Sequence, residues 1–306
     1  MTLAKMSRRA VLALAADWAA GKSRTQAGGT FLQFWNVHKD WEEARWRALF
    51  GYLAELRVRE VVIQWSRYDG IDYSGLTGRV LEEAGRLGLG VWMGLAHESS
   101  WWRALEEGAS DALLRRMAEG HLALAGELRT VVRGQRAFRG WYLPEEIDDV
   151  HWQGAGASRL RAHVKGLRRR LRPLAMSGFS NGRMAPAELG QFWRQVAGGG
   201  LDRVLFQDGI GAGKLTLESW PGYLQALGRS LGSRLTVVVE CFEAAAGEAG
   251  FQARPAAMER IRRQVELAGR YTKNAPVVFS LPEYATPVGG EAAARLYEEW
   301  RRVLLP

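Results

Sequence analysis

Short apolar runs alternate with longer amphipathic segments along the chain after Gly29, and this alternation constrains the fold more than any other feature. The apolar runs have the length of strands, and the segments between them repeat their apolar residues at helical spacing. Eight strands are predicted, at residues 30–35, 60–65, 90–96, 138–143, 174–177, 203–207, 235–240 and 276–281. Eight helices are predicted between and after them, at 41–56, 77–87, 110–133, 157–171, 185–197, 219–231, 256–270 and 291–304.

Two common architectures contain long strand–helix alternation, the open doubly wound sheet and the closed barrel. Eight units, with no GxGxxG fingerprint after the first strand, favour the barrel. The 306-residue length is compatible with one such domain, since these barrels typically need about 250 residues. The sequence therefore predicts an α/β fold, a (β/α)8 TIM barrel, in a single domain at residues 28–306.

Residues 1–27 have the composition of an export signal rather than of a folded element. Lys5, Arg8 and Arg9 precede an apolar run at 10–16, and Thr25-Gln26-Ala27 is similar to a small-residue cleavage site. The Arg8-Arg9 pair is typical of twin-arginine signals, which predicts a periplasmic or secreted protein. A frayed N-terminal helix is the alternative. No later segment approaches the roughly 18 apolar residues of a membrane span, so stable membrane insertion is not expected.

Composition narrows the classes of partner and cofactor. The single cysteine, Cys241, excludes an intrachain disulfide and a multi-cysteine metal site, and the five histidines form no HExxH pattern. We therefore expect neither a metal nor another cofactor. The net charge is +9, of which the predicted signal carries +4. The basic run at 159–172 has an apolar stripe at helical spacing, so its charges are expected on the solvent face of an outer helix. No nucleic-acid-binding motif accompanies these charges, so nucleic acid is not a predicted partner.

Polar and aromatic residues collect at the carboxyl ends of the predicted strands, which meet at one mouth of a barrel. The excess of tryptophan, 13 residues, supplies flat apolar faces that suit sugar rings. The pattern predicts a cleft for an oligosaccharide or polysaccharide. The candidate substrate-binding residues are Gln33, Trp35, Gln64, Glu98, Trp101, Tyr142, Glu145, Gln207, Asp208 and Glu283, with Trp65, Trp102 and Trp152 as further stacking candidates. The alternative for Trp65, from strand parity, and for Trp102, from its neighbour, is a place in the core.

The segment FRGWYLPEEIDD, residues 138–149, ends an apolar strand on a group of carboxylates. Side chains alternate along a strand, so Glu146 faces the barrel axis if Tyr142 does, and Glu145 faces the helices or the rim. Glu240 ends the seventh strand, across the mouth from the fourth. Hydrolysis of a glycosidic bond needs one carboxylic acid and one carboxylate, and Glu146 and Glu240 are the predicted pair.

This arrangement resembles the clan A glycoside hydrolases, in which the acid/base follows strand four and the nucleophile follows strand seven. The resemblance implies that Glu146 is the acid/base and Glu240 the nucleophile of a retaining enzyme. Glu145 stands where these enzymes usually have an asparagine. A simple ion pair of Glu240 with an arginine at the rim is the structural alternative.

A closer resemblance rests on GTFLQFW, VVIQWSRYDG, GWYLPEEIDD, LFQDGIGAG and VVVECFE, which occur between Gly29 and Glu243. These segments are similar to those of a bacterial family of glycoside-hydrolase-like TIM barrels catalogued as a domain of unknown function. The resemblance implies that the family's polar strand ends correspond to Gln33, Gln64, Glu146, Gln207, Asp208 and Glu240.

Two other functions remain open from the residues alone. A barrel that binds a polysaccharide during export without cutting it would keep the aromatic cleft but would not need two facing carboxylates. A barrel that holds a divalent metal could use Glu98, Asp208 and Glu283 as oxygen ligands. The glycine-rich run at 208–216 lacks the residues of a phosphate-binding loop and is predicted to form a rim loop after the sixth strand.

Overall fold

The computed structural model describes residues 26–108, 110–245 and 252–304. Eight parallel strands form a closed barrel, which confirms the predicted (β/α)8 TIM-barrel fold. The strands are β1 (Gly29–Leu32), β2 (Glu60–Ile63), β3 (Gly90–Gly94), β4 (Phe138–Ile147), β5 (Leu174–Gly178), β6 (Arg203–Gln207), β7 (Leu235–Glu240) and β8 (Val277–Phe279). Closure comes from the parallel pairing of β1 with β8, which leaves no edge in the barrel sheet.

A helix follows each strand and packs on the outside of the barrel. The helices are α1 (Glu43–Glu55), α2 (Ser74–Arg86), α3 (Ser110–Val132), α4 (Gly156–Leu167), α5 (Pro186–Ala197), α6 (Trp220–Leu231), α7 (Met258–Tyr271) and α8 (Glu291–Leu304). In α8, Leu296, Tyr297 and Trp300 are buried at the spacing that places side chains on one helix face. The same periodicity in the sequence predicted all eight helices, with ends that differ by a few residues.

One side chain from each of the eight strands fills the interior of the barrel. These residues form a separate hydrophobic cluster of Phe31, Val62, Trp92, Tyr142, Ala175, Leu205, Val238 and Val277. Alternate positions on the strands point outward and form the larger core under the helices. The barrel is therefore a packed core rather than a pore, and any cleft must lie above this layer.

Two small sheets lie outside the barrel. Arg67–Tyr68 pairs with Ile71–Asp72 and with Ala96–His97, while Phe242–Ala244 pairs with Ala253–Pro255. The first follows β2 and β3, and the second follows β7. They extend the loops at the carboxyl ends of these strands.

The predicted signal lies almost entirely outside the described residues, so the export route stays a prediction. Ala27 is buried against the outer core, and the Gly28 N–H donates to the Pro276 carbonyl. The barrel contacts therefore begin near the predicted domain boundary, although the boundary itself also stays a prediction. Among the described helices, none has the length and apolar character needed to cross a bilayer.

Candidate active site at the barrel mouth

A cavity of about 820 Å³ opens above the interior cluster at the carboxyl ends of the strands. Seven residues predicted for the site line it: Gln33, Trp35, Gln64, Glu146, Gln207, Glu240 and Glu283. The remaining lining residues are Trp65, His97, Trp102, Pro144, Phe179, Gly209, Ala212, Lys214, Phe242, Ala244, Phe279 and Tyr284. The cavity combines carboxylates, amides and aromatic rings, which is the lining expected for a polar ligand with flat apolar faces.

Strand alternation explains why these side chains meet. Each interior residue is followed, two positions later, by a residue that also points toward the axis. This step leads from Phe31 to Gln33, from Val62 to Gln64, from Leu205 to Gln207 and from Val238 to Glu240. On β3 the corresponding residue is Gly94, where an added Cβ would collide with the Ile63 carbonyl oxygen. A polar layer therefore lies directly above the apolar layer that fills the barrel.

Strand β4 contains a β-bulge just before the residue that enters the polar layer. Leu143 pairs with Met176 and Glu146 pairs with Ser177, so two additional residues, Pro144 and Glu145, lie between these pairs. Proline has no N–H to give to a ladder and is tolerated at such a bulge. Because two residues are inserted, the alternation is preserved and Glu146 still points inward.

Glu146 is held by an amide from a nearby strand. The Gln207 Nε2 donates a 2.6 Å hydrogen bond to Glu146 Oε1. Burial raises the pKa of the Glu146 carboxyl, and the Gln207 hydrogen bond opposes this shift without cancelling it. A carboxyl of this kind retains a proton at higher pH than an ordinary glutamate, as a general acid must.

Glu240 is held by the glycine-rich loop after β6. The Ala212 backbone N–H donates a 2.7 Å hydrogen bond to Glu240 Oε2. Burial raises the pKa of Glu240 to about 8, and the nearby negative charge of Asp208 adds to the effect. The loop predicted to form part of the rim is therefore a direct support for the second carboxyl.

Asp208 lies behind Glu240 rather than in the cavity. Its carboxylate is fully buried and accepts hydrogen bonds from Gln264 Nε2 at 2.6 Å and from the Ile210 N–H at 3.2 Å. Burial also raises the pKa of Asp208, to about 6. The prediction that Asp208 binds the substrate is not supported, because Asp208 does not line the cavity.

The third carboxyl in the cavity wall belongs to Glu283, in the short helix Leu281–Tyr284 that follows β8. Its Oε2 atom is buried and has no hydrogen-bond partner among the described residues. Burial raises the pKa of Glu283 to about 8.

One wall of the cavity is aromatic. Trp35 is 39% exposed and contacts Trp65, with ring centroids 5.2 Å apart, and Tyr68, at 5.9 Å. Trp65 stacks on His97 at 5.9 Å and donates its Nε1–H to the Phe34 carbonyl. Trp102 and Phe179 pack edge to face at 5.8 Å nearby. Trp35, Trp65 and Trp102 all line the cavity, and Trp65 is at the same time a buried residue of the outer core.

Two predicted stacking residues are in the core instead. Trp101 and Trp152 have no exposed surface, and their rings stack on each other at 6.1 Å. Because neither ring reaches the cavity, the prediction that they contact a sugar is not supported. Glu98 is also outside the cavity wall, since its carboxylate pairs with Arg116 at 3.0 Å. Tyr142 lies under the cavity floor, where its hydroxyl is 2.6 Å from Ser177 Oγ.

Glu145 points away from the cavity, toward helix α3. It is buried, and its Oε1 atom lies 2.5 Å from His121 Nε2. Burial favours a higher pKa for Glu145, but the attraction of His121, His163 and His97 outweighs burial and lowers the pKa. Glu145 is therefore a buried structural carboxylate rather than the substrate contact that was predicted.

The two aspartates after Glu146 stabilise loops. Asp149 accepts hydrogen bonds from Ser180 Oγ and from three backbone N–H groups, and Asp148 binds the His151 ring at 2.7 Å. The three N–H groups belong to Asn181, Arg183 and Met184. Of the four acidic residues in this segment, Glu146 is the one whose side chain lines the cavity.

Several lining residues were not predicted. Phe179 and Phe242 continue the inward alternation beyond β5 and β7, so extending the strand parity by one further step would have found them. Lys214 and the Ala212 N–H could not be found in this way, because they lie in a loop whose path depends on tertiary contacts.

The described parts of the chain contain no group of three or more His, Cys, Asp or Glu residues close enough to hold a metal ion. The three carboxylates considered as oxygen ligands for a metal are also in different surroundings. Glu98 forms an ion pair with Arg116 outside the cavity wall, Asp208 is buried behind the cavity with Gln264, and Glu283 is in the cavity wall.

Comparison with known proteins identifies the family. The profile described as domain of unknown function 4434 matches residues 27–289, most of the chain. The chain belongs to this family. The uncharacterized protein YbcH of Escherichia coli K12 is 28% identical over 228 residues, which cover 70% of this chain and 75% of YbcH.

Solved structures of low sequence identity share the fold of this member of the family. A candidate alpha-L-fucosidase from Bacteroides thetaiotaomicron has a TM-score of 0.72 at 18% identity and covers 91% of this chain and 92% of its own. The chitinase ChiB of Flavobacterium johnsoniae has a TM-score of 0.53 at 11% identity and covers 92% and 95%. Xylanase 10B of Thermotoga petrophila has a TM-score of 0.51 at 9% identity and covers both chains fully, at 100%. At these identities the similarity describes the fold.

Proposed function

We propose that this protein is a glycoside hydrolase that acts on a bacterial exopolysaccharide or a related glycan. The observation that carries the proposal is the presence of Glu146 and Glu240, from β4 and β7, in one cavity with a tryptophan-lined wall. A glycosidase needs two carboxyl groups on the two sides of the scissile bond and apolar faces for the sugar rings. The printed names of the fucosidase, chitinase and xylanase with the same fold are consistent with this class.

Glu146 is the proposed general acid. Its raised pKa favours the protonated form, and the Gln207 hydrogen bond fixes one oxygen so that the other can face the substrate. During cleavage the Glu146 proton moves to the glycosidic oxygen as its bond to the anomeric carbon breaks. The leaving sugar then departs as a neutral alcohol.

Glu240 is the proposed nucleophile of a retaining mechanism. A Glu240 oxygen forms a bond with the anomeric carbon, which gives a glycosyl-enzyme intermediate. Glu146, now ionised, removes a proton from water, and the hydroxide oxygen replaces Glu240 at the anomeric carbon. Both carboxyls are thereby restored to their starting protonation states, and the sugar keeps its anomeric configuration.

A second candidate function is a barrel that binds polysaccharide during export without cleaving it. The specific observation in its favour is the pKa of about 8 for Glu240, because a protonated carboxyl cannot attack a sugar. For hydrolysis, substrate binding must therefore shift Glu240 toward its ionised form. A binding barrel has no such requirement.

A single experiment separates these functions. The protein lacking residues 1–27 is incubated with a panel of bacterial and plant polysaccharides, and new reducing ends are measured alongside binding. We expect new reducing ends from at least one glycan, with proton NMR reporting retention at the anomeric carbon. Binding without cleavage across the panel would support the binding barrel instead.

We further propose that the protein is exported to the periplasm or secreted by the twin-arginine route. The basis is the Arg8-Arg9 pair before the apolar run in the sequence. A glycan-cleaving function in an exopolysaccharide pathway is consistent with that location.

A further inference from the structure

The cavity has more carboxyl groups than the proposed reaction uses. Glu146 and Glu240 have roles in the cleavage step, but Glu283 has none, although it lines the same space. Among the described residues in the cavity wall, the single lysine or arginine is Lys214, which is exposed in the rim loop. Three carboxyl groups and one ammonium group therefore line this cavity, and ionisation of all three carboxyls would be favoured by a cation from outside the protein.

Glu283 has an unsatisfied oxygen. Its Oε2 atom is buried, and no described residue donates a hydrogen bond to it. The backbone around it is fixed, because Gly289 packs against the Glu283 carbonyl and the Tyr284 N–H donates to the Ser280 carbonyl. A buried polar atom without a partner is uncommon in folded proteins, and in a cavity wall a ligand is the natural source of the missing donor.

Aromatic residues share the cavity wall with Glu283. Phe279 and Tyr284 line the cavity beside Glu283, and Phe242 packs on both of them, with ring centroids 6.0 Å and 5.4 Å away. Aromatic faces attract a cation through their quadrupole, and a carboxylate attracts it through its charge. A carboxyl beside aromatic rings is therefore better matched to an ammonium group than to a neutral hydroxyl.

We propose that Glu283 binds the amino group of a substrate sugar, so that the substrate is a glycan with free amino groups. This inference rests on the proposed function and names the substrate class of that site. The amino group donates to the unsatisfied Oε2 atom and contacts the rings of Phe279 and Tyr284. A neutral sugar could supply a hydroxyl to Oε2, but it carries no positive charge to favour the carboxylate form of Glu283 or to interact with the aromatic faces.

The same contact explains how Glu240 becomes ionised. Burial raises the pKa values of Glu240 and Glu283 to about 8, so both are mostly protonated near neutral pH. A positive charge bound at Glu283 favours the carboxylate form of Glu283, and because Glu240 lines the same cavity, the charge also favours ionisation of Glu240. Binding of the cationic substrate would therefore generate the nucleophile.

The test compares binding of oligomers of glucosamine, N-acetylglucosamine and xylose, all of one length, in a Glu146→Gln background that slows turnover. Calorimetry at pH 7 should give at least tenfold tighter binding of the glucosamine oligomer than of the other two. Adding Glu283→Gln should remove this preference while leaving the affinity for the xylose oligomer within about twofold. Glu243→Gln is the matched control, since Glu243 pairs with Arg254 outside the cavity, and it should keep the preference.

Equal affinity for the three oligomers, or a preference that survives Glu283→Gln, would overturn the inference. If Glu283→Gln does not fold, Tyr284→Leu gives a second test, because it removes a ring and should reduce the preference severalfold. Cleavage confined to neutral or acetylated glycans would exclude the amino-sugar site and leave the hydrolase proposal intact. Preferential binding of glucosamine oligomers with no cleavage by the wild type would leave the Glu283 site and exclude the hydrolase.

Discussion

Gln207 Nε2 donates a 2.6 Å hydrogen bond to Glu146 Oε1, and this bond joins the ends of strands β6 and β4 above Ser177 of the intervening strand. The amide fixes the orientation of a carboxyl that lies just beyond a bulge, where the strand ladder alone would hold it less firmly. Both residues belong to the polar layer that strand alternation creates above the barrel core. The roles proposed for Glu146 and Glu240 lead to the following predictions.

Replacing Glu240 with Gln should reduce turnover by roughly 10⁴-fold and keep glycan affinity within about threefold, because glutamine keeps the shape but cannot attack the sugar. Turnover and equilibrium binding are measured on the same substrate. Glu243→Gln is the control, because its carboxylate pairs with Arg254 at the surface, and it should retain wild-type turnover. Normal activity of the Glu240 variant would exclude it as the nucleophile.

Replacing Glu146 with Gln should slow natural glycans by about 10²–10⁴-fold, the usual contribution of a general acid. With an aryl glycoside, whose leaving group needs little protonation, the rate of the first step should change little. A burst of released phenol would report this rate. The Glu145→Gln variant, at the adjacent residue, is compared with Glu146→Gln on the same substrate. The Glu145 carboxylate faces His121, so we expect a loss of stability of about 1–3 kcal/mol with turnover little changed. An inactive Glu145 variant beside a near-normal Glu146 variant would reverse the assignment.

The pH dependence of Glu240 can be measured without interference from the second carboxyl. In the Glu146→Gln variant with an activated aryl glycoside, the first step requires Glu240 to be ionised. Because the pKa of Glu240 is raised to about 8, the burst rate should increase with pH, with its midpoint near or somewhat below that value, and level off above the midpoint. A rate that falls as pH rises through this range would contradict the nucleophile role.

Adding Asp208→Asn should move that pH midpoint downward. The negative charge of Asp208 contributes to the raised pKa of Glu240, so its removal makes the Glu240 carboxylate easier to form. The amide oxygen can still accept the hydrogen bond from Gln264. An unchanged midpoint in a folded double variant would show that burial alone sets the pKa.

Replacing Trp35 with Ala should raise KM by roughly twofold to twelvefold with kcat changed little, since an aromatic contact contributes about 0.5–1.5 kcal/mol. Trp35 is the most exposed of the tryptophans in the aromatic wall, which leaves its face free for a sugar ring. Trp101→Phe should instead lower the thermal midpoint and leave KM unchanged, because Trp101 is in the core. A changed KM in the Trp101 variant would contradict this division.

Export can be tested with Arg8→Lys and Arg9→Lys together. The twin-arginine receptor reads the pair, so we expect the double variant to accumulate in the cytoplasm with its thermal midpoint unchanged. Cell fractionation and thermal unfolding report the two quantities. Normal export of the double variant would remove the twin-arginine proposal.

The sequence by itself determined the barrel and the direction of most side chains at its mouth. Helical and strand periodicities are local properties, so counting them gave eight units, and alternation from Tyr142 placed Glu146 inward and Glu145 outward. The bulge at Pro144 did not disturb this inference because it inserts two residues and preserves the alternation.

Only the tertiary structure decided which polar residues near the strand ends reach the cavity. Glu98 and Trp101 lie in the segment after β3, and Asp208 follows β6 directly, but their side chains are held by Arg116, Trp152 and Gln264, which are distant in sequence. The hydrogen bond from Ala212 to Glu240 depends on the path of a loop, for which no periodicity exists. The raised pKa values of Glu240 and Glu283 depend on burial, which is a property of the packed molecule and not of any local segment.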